Sequence, residues 1–115
     1  MGRSNKPLIW GLFAGGGTLS AFVFPAIVFV VGLGVPLGFF GAEAFSYERM
    51  SALVANPLGA LCVFGVLFLI MWHAAHRLRI TAHDFGIRAD GLVSTLCYGG
   101  AALGTIGLIY ALFIA

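Results

Sequence analysis

Residues 50–72 read MSALVANPLGALCVFGVLFLIMW, and none of these side chains carries a charge. An α-helix needs about 20 consecutive apolar residues to cross a hydrocarbon core of about 30 Å. The stretch meets that requirement and therefore predicts a transmembrane helix, which we place at about residues 57–80.

Two further stretches, residues 7–42 and 91–115, are also uncharged and predict helices at about residues 8–35 and 92–114. Hydrophobic residues make up 61% of the chain and charged residues 9%, with a mean hydropathy of +1.06, whereas soluble domains are about a quarter charged. The short alternating strands of a membrane barrel are absent from the sequence. The sequence therefore predicts an all-α membrane protein, in which residues 1–115 form a single membrane-anchor domain with three transmembrane helices.

The basic residues are distributed unevenly between the loops. Three crossings put the N-terminal segment and the loop after the second helix on one side, and together these hold Arg3, Lys6, Arg77, Arg79 and Arg88. The loop between the first two helices has only Arg49. Short loops rich in Lys and Arg stay in the cytoplasm, so we expect a cytoplasmic N-terminus and a C-terminus outside.

Glycines recur at a spacing of four, at Gly11 and Gly15 in the first helix and at Gly100 and Gly104 in the third. Small residues at this spacing let helix backbones approach closely in lipid, so we expect helix contacts here and partner helices from another chain. No polar segment is long enough for a soluble domain. We therefore expect no nucleotide or iron–sulfur site within the chain and no nucleic-acid partner.

All three histidines lie in residues 71–84, MWHAAHRLRITAHD, at the end of the second span. On a helix, His73, His76 and Arg77 share a face, and such a polar stripe usually faces protein or water. The cluster is compatible with arginines that extend to the headgroups, with axial haem ligation by His73, and with a quinone site. A metal site built from the three histidines is disfavoured, because no thiolate or carboxylate accompanies them deep in the span.

A quinone headgroup has two carbonyl oxygens, which need hydrogen-bond donors and a nearby group that moves protons. Histidine titrates in the right range for that task. Trp10, at the start of the first helix, is predicted at the same depth as His76 and Arg77. These three are the candidate quinone-binding residues, although a tryptophan at this level is also typical of the interfacial belt.

The sequence resembles the D subunit of bacterial fumarate reductase, the smaller hydrophobic anchor of the quinol:fumarate reductase complex. The resemblance covers nearly the whole chain. The segments that carry it are, in order, Trp10–Gly17, Pro25, Pro36–Gly38, Ser46–Arg49, His76–Arg77 and His83–Asp84.

The resemblance implies a heterotetramer in the bacterial inner membrane, in which this chain is a multi-pass, non-catalytic subunit. Its partners would be a second hydrophobic anchor subunit, an iron–sulfur subunit and a flavoprotein subunit, so FAD and the iron–sulfur clusters would lie in partner subunits only. Trp10, His76 and Arg77 match residues that line the family's menaquinol site at the cytoplasmic face. No haem is expected.

Two alternatives remain open. Haem b-binding anchors of succinate dehydrogenase carry a histidine in the second helix followed eleven residues later by Asp-Tyr. His73 and Asp84 have that spacing, but Phe85 stands where the tyrosine would be. The other alternative is a structural subunit of a different membrane complex, in which the ionisable cluster serves topology only.

Overall fold

Three long helices and one short helix make up the fold in the computed structural model, which describes residues 6–41 and 43–115. Their bounds are α1 Lys6–Ile27, continued by π-helical turns over Val28–Gly34, α2 Tyr47–Ala55, α3 Pro57–Asp84, and α4 Asp90–Ile109, continued by π-helical turns over Tyr110–Ile114. The three long helices are each long and apolar enough to cross a membrane. The predicted all-α membrane architecture is therefore confirmed. Arg3, one of the basic residues on which the predicted orientation depends, lies outside the described residues.

The central element is α3, which packs against α1 on one side and α4 on the other. Asn56 caps its start by accepting a hydrogen bond from the Leu58 N–H at 2.9 Å, and Pro57 occupies the first helical position, where its missing N–H is harmless. With 28 residues at about 1.5 Å each, α3 is about 42 Å long. Because this exceeds the hydrocarbon thickness, the ionisable last turns of α3 reach the membrane surface.

A glycine-based C-cap ends α3 and turns the chain into α4. Gly86 adopts a φ of +84°, a conformation that residues with a side chain rarely adopt. Its N–H donates to the His83 carbonyl, and the Ile87 N–H donates to the Ala82 carbonyl. This pair of bonds is the Schellman motif, and it allows α4 to begin at Asp90 and run antiparallel to α3.

The helices α1 and α3 meet at a glycine. A Cβ built on Gly16 would overlap the backbone oxygen of Leu69 and lie 2.7 Å from the Cβ of His73. A Cβ on Gly17 would lie 2.8 Å from Cε1 of the same histidine ring. No side chain separates the helices here, so the sequence permits this contact only because both positions are glycine.

The contact between α3 and α4 uses small residues and one side-chain hydrogen bond. Ala75 and Ala101 are buried, and a Cβ on Gly104 would lie 2.5 Å from the Met71 sulfur. The Trp72 indole N–H donates to the Thr105 hydroxyl at 3.0 Å. A polar bond of this kind holds neighbouring helices in register within lipid.

The expectation about glycine pairs is only partly met within the chain. Gly104 packs closely against α3, but Gly11, Gly15 and Gly100 have no neighbour within 4 Å of a built Cβ. The close contact in α1 falls instead on Gly16, one residue along the same run of glycines. The spacing of four residues between glycines identified helix faces that are rich in glycine, but it did not indicate which face of α1 packs against α3.

The surface of the described residues is strongly apolar. Among them only Ala60, Ala75 and Ala101 are buried hydrophobic residues, while many large apolar side chains of all three long helices are exposed. A soluble protein of this size would bury a much larger core. The exposed apolar surface is suited to lipid and to partner helices.

We predict that Gly16→Ala destabilises the chain by about 1–3 kcal/mol, the usual range for overpacking a tight contact. Gly15→Ala is the matched control, because a Cβ at that position meets no atom within 4 Å. Thermal unfolding of the full-length chain in detergent provides the measurement. Equal stability of the two variants would contradict the assigned helix contact.

Candidate functional site

A groove of about 770 Å³ opens between the N-terminal half of α1, the C-terminal half of α3 and the first turns of α4. Its walls are aromatic and apolar, and a few polar groups face it. The side chains that matter below are Trp10, Phe13, Trp72, His76, Arg79 and Tyr98. This volume and this mixture are typical of sites for small organic ligands.

His76 lines the groove and is the polar side chain there that is both held in place and open to a ligand. Its Nδ1 lies 2.7 Å from the Tyr98 hydroxyl, and its ring meets the edge of the Phe13 ring with centroids 4.7 Å apart. Among the described residues, Nε2 of His76 has no hydrogen-bond partner. The ring is therefore fixed on one side and has a free nitrogen for a ligand.

Tyr98 is held in place by aromatic packing as well as by His76. Its ring stacks on Trp72, with centroids 6.1 Å apart and an interplanar angle of 18°. Trp72 is itself bonded to Thr105, whose hydroxyl also donates to the Ala101 carbonyl at 2.8 Å. One wall of the groove is therefore a continuous set of packed groups from α3 and α4.

Arg79 joins the ends of α3 and α4. Its Nε and Nη2 donate to the two carboxylate oxygens of Asp90 at 3.0 and 2.7 Å. The guanidinium carbon also lies 5.7 Å from the centre of the Tyr98 ring, within the range of a cation–π contact. The pair is solvent-accessible, with relative side-chain exposures of 37% and 51%, so its value lies mainly in fixing geometry rather than in stability.

The structure places His73, the candidate haem ligand, in the contact between α1 and α3. Its Nδ1 donates to the Phe13 carbonyl at 2.9 Å, since a carbonyl can only accept. Its ring stacks on Phe13 with centroids 4.4 Å apart, and Cε1 of the ring faces Gly17. His73 therefore serves helix packing in this arrangement.

Two of the three predicted quinone residues come together. Trp10, which is 69% exposed, and His76 both line the groove, at the level where the sequence placed them. Arg77 is exposed and does not line it. The arginine that the groove presents is Arg79, which the sequence assigned to a topological role.

A second, smaller hollow of about 380 Å³ adjoins the groove and shares His76 and Arg79 with it. Its remaining lining comes from Ile80, His83, Arg88 and Asp90. No group of three or more His, Cys, Asp or Glu side chains in the described part of the chain is arranged to hold a metal ion.

Sequence reasoning missed Tyr98 and the pairing of Arg79 with Asp90. A usable signal was present for Tyr98. His76 lies eight residues before Asp84, the end of α3, and Tyr98 lies eight residues after Asp90, the start of α4. In an antiparallel pair with a short connection, residues equally far from the turn lie at the same depth.

Comparison with known proteins gives a consistent result. The model of the fumarate reductase D-subunit family matches residues 1–113. Fumarate reductase D subunits similar to this chain occur in Vibrio parahaemolyticus (43% identical over 97% of this chain and 90% of the relative) and Aliivibrio fischeri (39%, over 97% and 93%). The corresponding protein of Vibrio campbellii is 45% identical over 88% of this chain and 81% of the relative.

Proposed function

The chain belongs to the fumarate reductase D-subunit family, and on that premise we propose that it holds the catalytic subunits at the membrane and forms part of the menaquinol site. As a member of this family it is a multi-pass, non-catalytic membrane subunit of a bacterial fumarate reductase complex. Its partners in the proposal are the second hydrophobic anchor, the iron–sulfur subunit and the flavoprotein subunit. In the proposal, FAD and the iron–sulfur clusters belong to those partners.

The observation that carries the quinol site is the pairing of His76 with Tyr98 inside a groove with aromatic walls. A quinone ring is flat and apolar, with an oxygen at each end, and therefore needs aromatic walls and hydrogen-bonding groups together. The groove supplies both, so the residues present fit such a ligand. When bound, the quinol supplies two electrons and two protons to the complex.

His76 has the central role among this chain's residues. With Nδ1 held by Tyr98, Nε2 is the atom that accepts a hydrogen bond or a proton from a ligand hydroxyl. Histidine is the side chain most often used to accept and release a proton in this way. The orientation of the imidazole matters because a proton is transferred only when the donor and acceptor atoms lie within hydrogen-bond distance.

Trp10 and Arg77 complete the proposed site from its rim. The exposed Trp10 indole packs on a ring or donates its N–H to an oxygen. Arg77 follows His76 directly, and its long side chain reaches the mouth of the groove when partner subunits cover this surface. A guanidinium there stabilises negative charge on a ligand oxygen.

The proposal places the groove at the cytoplasmic face. Lys6, Arg77, Arg79 and Arg88 lie at the same end of the molecule as the groove, as expected for termini and loops retained in the cytoplasm. The iron–sulfur and flavoprotein subunits dock on this end, which puts the quinol next to the electron acceptors of the complex.

We predict that His76→Ala and Arg77→Ala each lower menaquinol oxidation by the complex by about tenfold or more, since a positioned proton-transfer group, or a donor to a developing negative charge, contributes at least that much. Fumarate reduction with a soluble artificial donor is expected to stay unchanged, because it bypasses the membrane site. Arg49→Ala, at an exposed arginine of α2 near the opposite end of α3, is the matched control. Equal loss of both activities would indicate failed assembly, and full quinol oxidation in both variants would contradict the proposed site.

We predict no b-type haem band in the reduced-minus-oxidised optical spectrum of the purified complex. The hydrogen bond from His73 to the Phe13 carbonyl and the stacking of the two rings support this, because both contacts commit His73 to the packing of α1 against α3. His73→Leu is expected to leave the spectrum unchanged and to lower thermal stability by about 1 kcal/mol, the value of one hydrogen bond. A haem band that disappears in this variant would assign His73 as an axial ligand.

The proposed orientation is open to cysteine labelling. In a Cys62→Ala, Cys97→Ala background, Tyr47→Cys is expected to react with a membrane-impermeant maleimide added to intact spheroplasts. Ile87→Cys is expected to react only after the membrane is opened. Both side chains are exposed, at 82% and 48%, so burial does not explain a difference, and the reverse pattern would invert the topology.

A further inference from the structure

Building on the proposed function, we propose that Tyr98 is a positioning residue, which fixes the imidazole of His76 for quinol oxidation, and that the Arg79–Asp90 pair fixes Tyr98. His76, Arg79 and Tyr98 line the groove, and Asp90 lines the smaller hollow beside it. The proposal deepens the assigned site by naming what holds its proton-accepting group in place.

The first step is the bond between Tyr98 and His76. The hydroxyl lies 2.7 Å from Nδ1 of His76 and comes from a different helix. A neutral imidazole can accept a proton at Nε2 only while Nδ1 carries one, so in this role Nδ1–H donates to the Tyr98 hydroxyl oxygen. The same Nδ1–H bond persists after Nε2 is protonated, because both ring nitrogens are then donors. Tyr98 can therefore orient the ring in both states through which a proton-accepting histidine passes, and it leaves Nε2 for the ligand.

The second step is the rigidity of Tyr98 itself. Its ring stacks on Trp72, and Trp72 is bonded to Thr105 on the same helix as Tyr98. A side chain held on both its face and its hydroxyl has little rotational freedom. A residue that orients another side chain must itself be fixed, because a mobile residue would pass its own motion to that side chain.

The third step is the register of α3 and α4 near the site. Arg79 lies one turn beyond His76 on α3 and makes two parallel hydrogen bonds to Asp90 at the start of α4. Two-point contacts fix orientation as well as distance. The same guanidinium covers the Tyr98 ring at 5.7 Å. The ion pair therefore holds the two helices where the Tyr98 hydroxyl meets His76.

A double-variant experiment on the whole complex separates positioning from direct contact. Tyr98→Phe keeps the ring and its stacking and removes only the hydroxyl. We expect menaquinol oxidation to fall about three- to tenfold, the rate equivalent of one hydrogen bond. The loss is expected in kcat, with little change in the KM for quinol, and fumarate reduction with a soluble donor stays unchanged. Tyr110→Phe, at the far end of α4, is the matched control.

The decisive comparison is His76→Ala with and without Tyr98→Phe. If Tyr98 acts through His76, the double variant is no slower than His76→Ala alone, since there is no ring left to orient. If the two losses multiply, Tyr98 contacts the quinol itself and the positioning role is overturned. If Tyr98→Phe has no effect while His76→Ala is slow, this inference fails and the proposed quinol site stands. If His76→Ala is not slow, the proposed site fails as well.

The ion pair is tested in the same assay with Asp90→Asn, which keeps the shape of the side chain and removes its charge. We expect a smaller loss of quinol oxidation, about twofold to threefold, because a charged hydrogen bond in an exposed pair is partly replaced by water. That loss is expected to disappear in the Tyr98→Phe background. An Asp90→Asn complex with full activity would remove Arg79 and Asp90 from the proposal, and an unchanged loss in the Tyr98→Phe background would show that the pair acts elsewhere.

Discussion

The close approach of α1 and α3 at Gly16 is the constraint on which the rest of the structure depends. With no side chain at Gly16 or Gly17, the helix backbones meet directly beside Leu69 and His73. From that point towards the N-terminus of α1, the large side chain of Phe13 packs against His73 and His76 of α3, and the exposed Trp10 lines the groove. The groove is the space that this change from small to large residues opens.

The sequence predicted the three long helices and the level of the site, because both depend on quantities that a sequence displays directly. The length of each uncharged stretch can be read from the sequence, and the stretches that are long enough to span the membrane give the number of crossings. Antiparallel crossings then put Trp10 and His76 at the same depth, and both line the groove. The composition also indicated correctly that the surface would be apolar.

The orientation of individual side chains could not be predicted in the same way. Arg77 and Arg79 are two residues apart and lie on different sides of α3, so choosing between them requires knowing where α1 and α4 pack. Mean hydropathy carries no such information, since all three helices are apolar on every side. The contact between α1 and α3 depends on Gly16 and Gly17 and not on the adjacent Gly15, and the pairing of Arg79 with Asp90 depends on the turn at Gly86.

Few side chains in this chain are hidden from their surroundings, and this has a consequence for the life of the protein in the cell. Among the described residues only three alanines and two glycines are buried, so the fold of this chain alone covers little of its own surface. We expect a newly inserted copy without its partner subunits to be more accessible to membrane proteases than a copy in the assembled complex.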